Sequence, residues 1–295
     1  MQLISRIALA STFAALSLSA LADGHYVAGV EGIQAASVPP PGLYYLAYGV
    51  DYNMQQFNAP GSSNALPGQN KGTVFAVANR VAWISSTKVL GADYGMETIV
   101  PLQATSLTVS AASIADTQTG LGDVYVGPLV LGWHGASWDA VGAAGLWTNS
   151  ASNSSPAAPG KGFNTTMLTG GATYYFDADK KISGSALMRY EMNDSKSSGF
   201  KAGDQVTLEW GFAKVLGSTQ IGLVGYDQMQ VSNDSGVGAT GNKTSRHAIG
   251  AEVVLPLMSS GVVLKAAAYN EYQVQAGSGA APMGNMLRFT FVKFL

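Results

Sequence analysis

Few side chains in this sequence are equipped for covalent or metal chemistry, and their spacing argues against both. There is no Cys, so thiolate nucleophiles, thiolate zinc sites and disulfide scaffolds fall away together. The histidines are His25, His134 and His247. His25 precedes the first strand-like run, His134 falls in a short turn, and His247 sits near the end of a run, so a shared metal site is not expected. A lipase-type barrel places His and Ser two residues apart on one face of a strand. Here His25 is followed by Tyr26 and Val27, His134 by Gly135 and Ala136, and His247 by Ala248 and Ile249. That dyad is missing, and no enzyme is expected. The glycine clusters at 120–123 and 169–171 have no helix behind them and make no phosphate cradle. The expected cofactor set is empty.

What remains is electrostatic. Arg80, Asp93, Glu97, Arg189, Glu191, Glu209, Arg246, Glu252, Lys265, Glu271 and Arg288 each stand opposite apolar residues in an alternating run. In 181–193, for example, Ile182, Gly184, Ala186, Met188, Tyr190 and Met192 form one set, and Lys181, Ser183, Ser185, Leu187, Arg189, Glu191 and Asn193 the other. That period of two belongs to strands. Similar runs cover 73–84, 89–100, 204–215, 246–256, 262–272 and 286–295. Five weaker ones, at 43–52, 121–133, 138–148, 165–176 and 219–231, complete a set of about twelve.

The connections alternate in length. Long ones are read at 53–72, 101–120, 149–164, 194–203, 232–245 and 273–285, and short ones at 85–88, 134–137, 177–180, 216–218 and 257–261. Alternating long loops and short turns mark a bacterial outer-membrane barrel. Composition agrees: 47% of residues are hydrophobic and only 12% charged, against about 25% charged in soluble domains. Lys+Arg 16 against Asp+Glu 18 leaves no positive excess for nucleic acid. The longest uncharged stretch, Thr98 to Ala115, carries Pro101 and Gln103 and is no membrane helix. A membrane chain without such helices must close into a barrel. The expected fold is therefore all-β, a transmembrane antiparallel up-and-down barrel of about twelve strands over 42–295.

Two N-terminal segments precede it. Residues 1–22 carry Arg6, an apolar core from Ile7 to Leu18, and a small-x-small site at Ala20–Ala22. They read as a secretory signal peptide cleaved after Ala22. Residues 23–41 read as a periplasmic or lumen-inserted segment whose VPPPG run stoppers the lower mouth.

With apolar faces toward lipid, the charged faces line the lumen. Two readings of that lining stay open. In one, Arg80, Arg246 and Arg288 face Glu209 and Glu252 as a gate or selectivity constriction, with Glu97, Arg189, Glu191 and Lys265 beside them. In the other, the charges only neutralise a narrow barrel interior.

Several segments carry a family resemblance. Residues 25–52 (HYVAGVEGIQAASVPPPGLYYLAYGVDY), 120–135 (GLGDVYVGPLVLGWHG), 159–166 and 200–210 resemble the outer-membrane proteins associated with meta-pathway phenol degradation. His25, Pro40, Pro41, Gly42, Asp123 and Trp133 stand at the most specific positions. The resemblance implies an outer-membrane barrel that passively takes up small hydrophobic or aromatic compounds. Its expected partners are outer-membrane lipid, the solute, and the barrel-assembly machinery. The chain ends in Leu295 behind Lys293, not in the common terminal Phe, which weakens the assembly signal. The alternative function is a structural barrel whose long outer loops bind a partner.

Overall fold

The computed structural model describes residues 24–257 and 260–295. The signal-peptide segment lies outside the described residues. Thirteen strands follow in order: β1 Gly42–Asn58, β2 Asn70–Val89, β3 Ala92–Val109, β4 Ile114–Leu121, β5 Tyr125–His134, β6 Trp138–Trp147, β7 Thr165–Tyr175, β8 Ile182–Asn193, β9 Gln205–Leu216, β10 Thr219–Gln230, β11 Ser245–Leu257, β12 Val262–Gln275 and β13 Ala281–Phe294. All neighbours are antiparallel, and β1 closes the sheet on β13 from Tyr44↔Phe294 to Asn58↔Ala281. β4 and β5 share one position in the wall. β4 pairs with the upper half of β3 (Leu102↔Leu121 to Val109↔Ile114), and β5 with its lower half (Ile99↔Tyr125 to Asp93↔Gly132). The barrel is thus closed and twelve-stranded.

Alternation decides which side chain faces where. Phe289 is 63% exposed on the outer face while its neighbour Arg288 is 0% exposed in the lumen. Phe75, Trp83, Met188, Phe212, Ile249 and Leu287 also face outward. Near the short-turn end they are joined by outward aromatic pairs, Trp83 with Tyr94 and Tyr174 with Phe176. A belt of this kind suits a membrane interface.

Three expectations are corrected. Residues 101–120 are not an open loop: β3 runs on to Val109 and β4 returns along it. β3 continues through Pro101, which stands opposite Ala78 of β2 and falls between the residues of β3 paired to β5, ending at Ile99, and those paired to β4, starting at Leu102. Residues 85–88 are not the turn, which falls at Leu90 and Gly91, both with positive φ. The two strands stay paired as far as Val89↔Ala92 through a register shift after Ile84. That shift buries Ala92, expected outside, together with Asp93.

The segment before β1 threads the lumen from end to end. Pro40 accepts a hydrogen bond from the Tyr44 hydroxyl (2.8 Å) at the short-turn end, and Ser37 lies beside Tyr175. From there the chain climbs past Glu31 to His25, which lies beside Thr165 at the long-loop end. Gly42 begins β1 where the Phe294 ring leaves no room for a Cβ.

The outward belt carries a measurable demand. Replacing Phe289 with Arg places a cation on the lipid face, at a cost of about 2–4 kcal/mol near the bilayer midplane. Unfolding titrations in lipid vesicles are expected to show that loss, whereas Thr290→Arg, on the lumen side, would not pay a lipid penalty.

Candidate functional site

The charged residues singled out from sequence all turn inward, buried or half-buried. Their pairing follows tilt and height in the barrel, and mostly differs from the expected cluster. Arg288 does meet Glu252 (Nη2 to Oε1, 2.5 Å). Arg80 instead takes Glu97 (Nε to Oε2, 2.7 Å), across the β2–β3 pair. Arg246 takes Glu271 (2.9 Å), which also accepts from the hydroxyls of Tyr226 and Tyr52. Lys265 lies within electrostatic reach of Glu252 and Glu31. Glu191 and Glu209 have a different task.

They hold the threaded segment by its backbone. Glu191 Oε1 accepts from the N–H groups of His25 (2.8 Å) and Tyr26 (2.9 Å). Glu209 Oε2 accepts from Glu31 N (3.1 Å) and Gly32 N (3.3 Å), and its Oε1 takes the Tyr26 hydroxyl. Glu252 Oε2 accepts from Ile33 N (2.6 Å), and Arg288 donates to the Val30 carbonyl. Gly32 is required here: its φ is +69°, and a Cβ would lie 1.9 Å from the Glu252 carboxylate. Three wall carboxylates therefore satisfy a run of irregular backbone that has no strand partner.

Glu31 completes the clamp. It projects from the threaded segment between Arg80 (3.1 Å) and Arg189 (2.8 Å). Arg189 also lies over the Tyr26 ring, 4.0 Å from its centroid, a cation–π contact. Burial alone would raise the Glu31 pKa, but Arg80 and Arg189 outweigh it and hold the carboxyl at about 2. The sequence reading missed Glu31. The available signal was its standing as the one acidic residue within 24–41.

The family-motif residues form a second fastening at the long-loop end. His25 Nε2 meets Asp123 Oδ2 (3.0 Å) and Nδ1 meets Thr165 Oγ1 (2.8 Å). The ring stacks on Trp147 and takes Phe163 edge-on. Asp123 also accepts from the N–H groups of Ser150, Ala151 and Lys161. One carboxylate thus ties the threaded segment, the β4–β5 junction and the 148–164 loop together. Asp–His–Thr contacts invite comparison with a hydrolytic triad, but Thr165 is 1% exposed and bonds Asn193 Oδ1 (2.7 Å). No solute could reach its hydroxyl, so the contact positions His25. Trp133 instead braces the β2–β3 turn, donating to the Leu90 carbonyl (3.1 Å).

Beside the upper part of the threaded segment lies a cavity of 680 Å³. One side is the inner face of β1–β3, with Val50, Met54, Val74, Ala76, Ala78 and Ile99. Its floor includes Glu31 and Arg80, and its rim is made by loop residues 153–161, 196–198 and 237–238. Among the described residues, β4 pairs only with β3. Along its other edge the wall is completed by the 148–164 loop, through Ala157 N on Asp116 (2.8 Å).

Fold and site together define a closed antiparallel β-barrel with an N-terminal segment threaded through its lumen. A family model described as "Putative MetA-pathway of phenol degradation" matches residues 55–289, and the chain belongs to that family. Among solved structures, it is similar to an outer membrane channel from Pseudomonas putida F1, at 11% identity and TM-score 0.77, over 90% of this chain and 100% of that one. It is also similar to the transport unit of the autotransporter AIDA-I from Escherichia coli, at 12% identity and TM-score 0.50, over 97% and 98%. No curated protein matches the chain.

The Glu31 clamp has a pH signature. Its folded pKa of about 2 lies below the ordinary 4.5, so its stabilisation is complete above about 4.5 and is lost as pH falls through 2. Relative to intrinsic exchange at each pH, the protection of amides 25–33 should fall over that window while the strands stay protected. Glu31→Gln should show the same loss of protection already at pH 7, because Arg80 keeps Glu97 but buried Arg189 loses its carboxylate partner.

Proposed function

We propose that this protein is an outer-membrane channel for passive uptake of small hydrophobic or aromatic compounds. The observation that carries the reading is the 680 Å³ cavity, bounded by the threaded segment and lined along β1–β3 by an apolar patch of Val50, Met54, Val74, Ala76, Ala78 and Ile99. An inner face of Val74, Ala76 and Ala78 is ill suited to a water-filled ion path. It suits a solute that sheds water on entry, worth about 25 cal/mol per Å² of apolar surface buried. A pocket of this size is in the range that small-molecule sites occupy. Solute enters past the loop rim, or beside β4 where a loop replaces strand pairing, and rests against β1–β3. Onward passage requires the threaded segment to shift. Family membership supports an aromatic solute class. The interaction-barrel alternative draws less support, since the long loops bond to one another (Ala276 N to Ser62 O, 2.9 Å; Gly61 N to Gly277 O, 2.9 Å).

The test uses the absence of native Cys. The Val38 Cβ lies 2.7 Å from where a Gly132 Cβ would be, so a Val38→Cys, Gly132→Cys pair needs about 1 Å of adjustment to form a disulfide. In proteoliposomes, the oxidised pair is expected to take up a labelled aromatic compound at least tenfold more slowly than the reduced pair. Equal flux in both states, or flux no greater than in empty vesicles, would refute the reading.

A further inference from the structure

Among the described residues, four acids line the cavity, and each is already bonded within the protein. Glu31 lies between Arg80 and Arg189, and Glu97 takes Arg80. Glu271 takes Arg246 and two tyrosine hydroxyls. Asp123 takes His25 and three backbone N–H groups. Lys196 differs from all of these. It stands on the rim, half-buried, in the loop between β8 and β9. Among the described residues its ammonium makes no hydrogen bond or ion pair. What it meets is the Phe163 ring, with Nζ 5.6 Å from the centroid, a cation–π contact. Burial, and then the charge of Lys161 on the same rim, hold its pKa below the ordinary lysine range. Withdrawing a charge from water is costly unless it is paired.

The loop holds Lys196 in place. Its N–H donates to the Phe200 carbonyl (2.8 Å), and Gly199 N donates back to the Lys196 carbonyl (2.9 Å). Phe200 packs with Phe163 and Ala202. Lys201 exchanges two backbone hydrogen bonds with Ser235 of the next long loop (2.9 Å each). We propose that the solute of this cavity is an amphipathic anion, an aromatic body bearing a carboxylate, and that Lys196 is the receptor for the carboxylate. This rests on the uptake reading above and names the class of solute within it. The patch of Val74, Ala76 and Ala78 takes the body, while the few polar groups of such a pocket fix orientation. A cationic solute finds no equivalent group, because the lining carboxylates are already bonded. A neutral solute buries the same area and leaves Lys196 without a counter-ion. Positive charge on the rim also draws anions toward the mouth.

The probes are 4-propylbenzoate and 4-propylbenzylamine, which differ in the sign of their charge and little in apolar area. Equilibrium dialysis against the protein in nanodiscs of zwitterionic lipid measures each at pH 7, with empty nanodiscs subtracted. The benzoate is expected to bind saturably, and more tightly than the amine by about tenfold or more, the scale of one hydrogen bond to a charged group. Lys196→Gln should remove that advantage and leave the amine unchanged, while Lys196→Arg should keep it. Acetate at the same concentration should not displace the benzoate, since it carries the charge without the body. Heat-modifiable gel mobility checks that each barrel is folded. Equal binding of the two probes, benzoate binding undiminished in Lys196→Gln, or displacement by acetate or inorganic phosphate at the same concentration would overturn the proposal. Binding of this kind in a barrel that passes no solute would support it and refute the channel reading. Uptake of neutral aromatics with no preference for the acid would overturn it and leave the channel reading standing.

Discussion

A charge that cannot face lipid must be satisfied inside the barrel. Turning the acids and bases of the strands inward avoids the acyl chains, but it crowds them into a narrow interior where each still needs a partner. The wall satisfies part of this demand within itself, through Arg288 with Glu252, Arg80 with Glu97, and Arg246 with Glu271. The threaded segment meets more of it. Its N–H groups bond to Glu191, Glu209 and Glu252, and its inserted carboxylate, Glu31, joins Arg80 to Arg189. The segment is therefore part of the lumen's electrostatic balance.

This dependence shapes the interior. The segment leans on β8, β9, β11 and β13, where the holding side chains are anchored, and leaves space against β1–β3. There Val74, Ala76 and Ala78 form an apolar patch, with Arg80 and Glu97 below it and Gln103 and Thr105 beside it. The lumen is consequently uneven, with its carboxylates gripping the chain on one side and an apolar patch facing the open cavity on the other. The His25–Asp123 fastening adds a third link. It joins the stopper to the loop that completes the wall beside β4, so movement of the loop and of the stopper are mechanically connected.

The strands with charged inner faces were legible one by one, because Arg189 and Glu191 in β8 or Glu209 in β9 contrast sharply with Met188 and Phe212 behind them. β1 gave a weak period for a physical reason. Its lumen face carries Tyr48, Val50, Tyr52 and Met54, which are as apolar as residues facing lipid, so alternation has nothing to contrast. The 101–120 arm was misread because Ser and Thr dominate β3 and β4 there and Pro101 looks like a breaker. That proline stands where β3 passes from pairing with β5 to pairing with β4. The turn after β2 was misplaced because SSTK has turn composition, while the register shift after Ile84 lets those residues remain in the strand.

Strand number, and the inward face of the charged residues in the seven clear strands, were determined by the sequence itself, because the period of two is a local property. The five weaker strands offer no clear period from which to assign a face, and Ala92 lies on the opposite face from the one expected. The motif positions His25 and Asp123 were visible too, though not that they touch across 98 positions of chain. Partnership was decided only by the tertiary structure. Which Arg meets which Glu depends on strand tilt and on the height at which each side chain enters the lumen, and neither is written in any one strand. Glu31 and the backbone it sits on have no period to read. Their conformation exists because a surrounding ring of wall carboxylates supplies the partners that no neighbouring strand does.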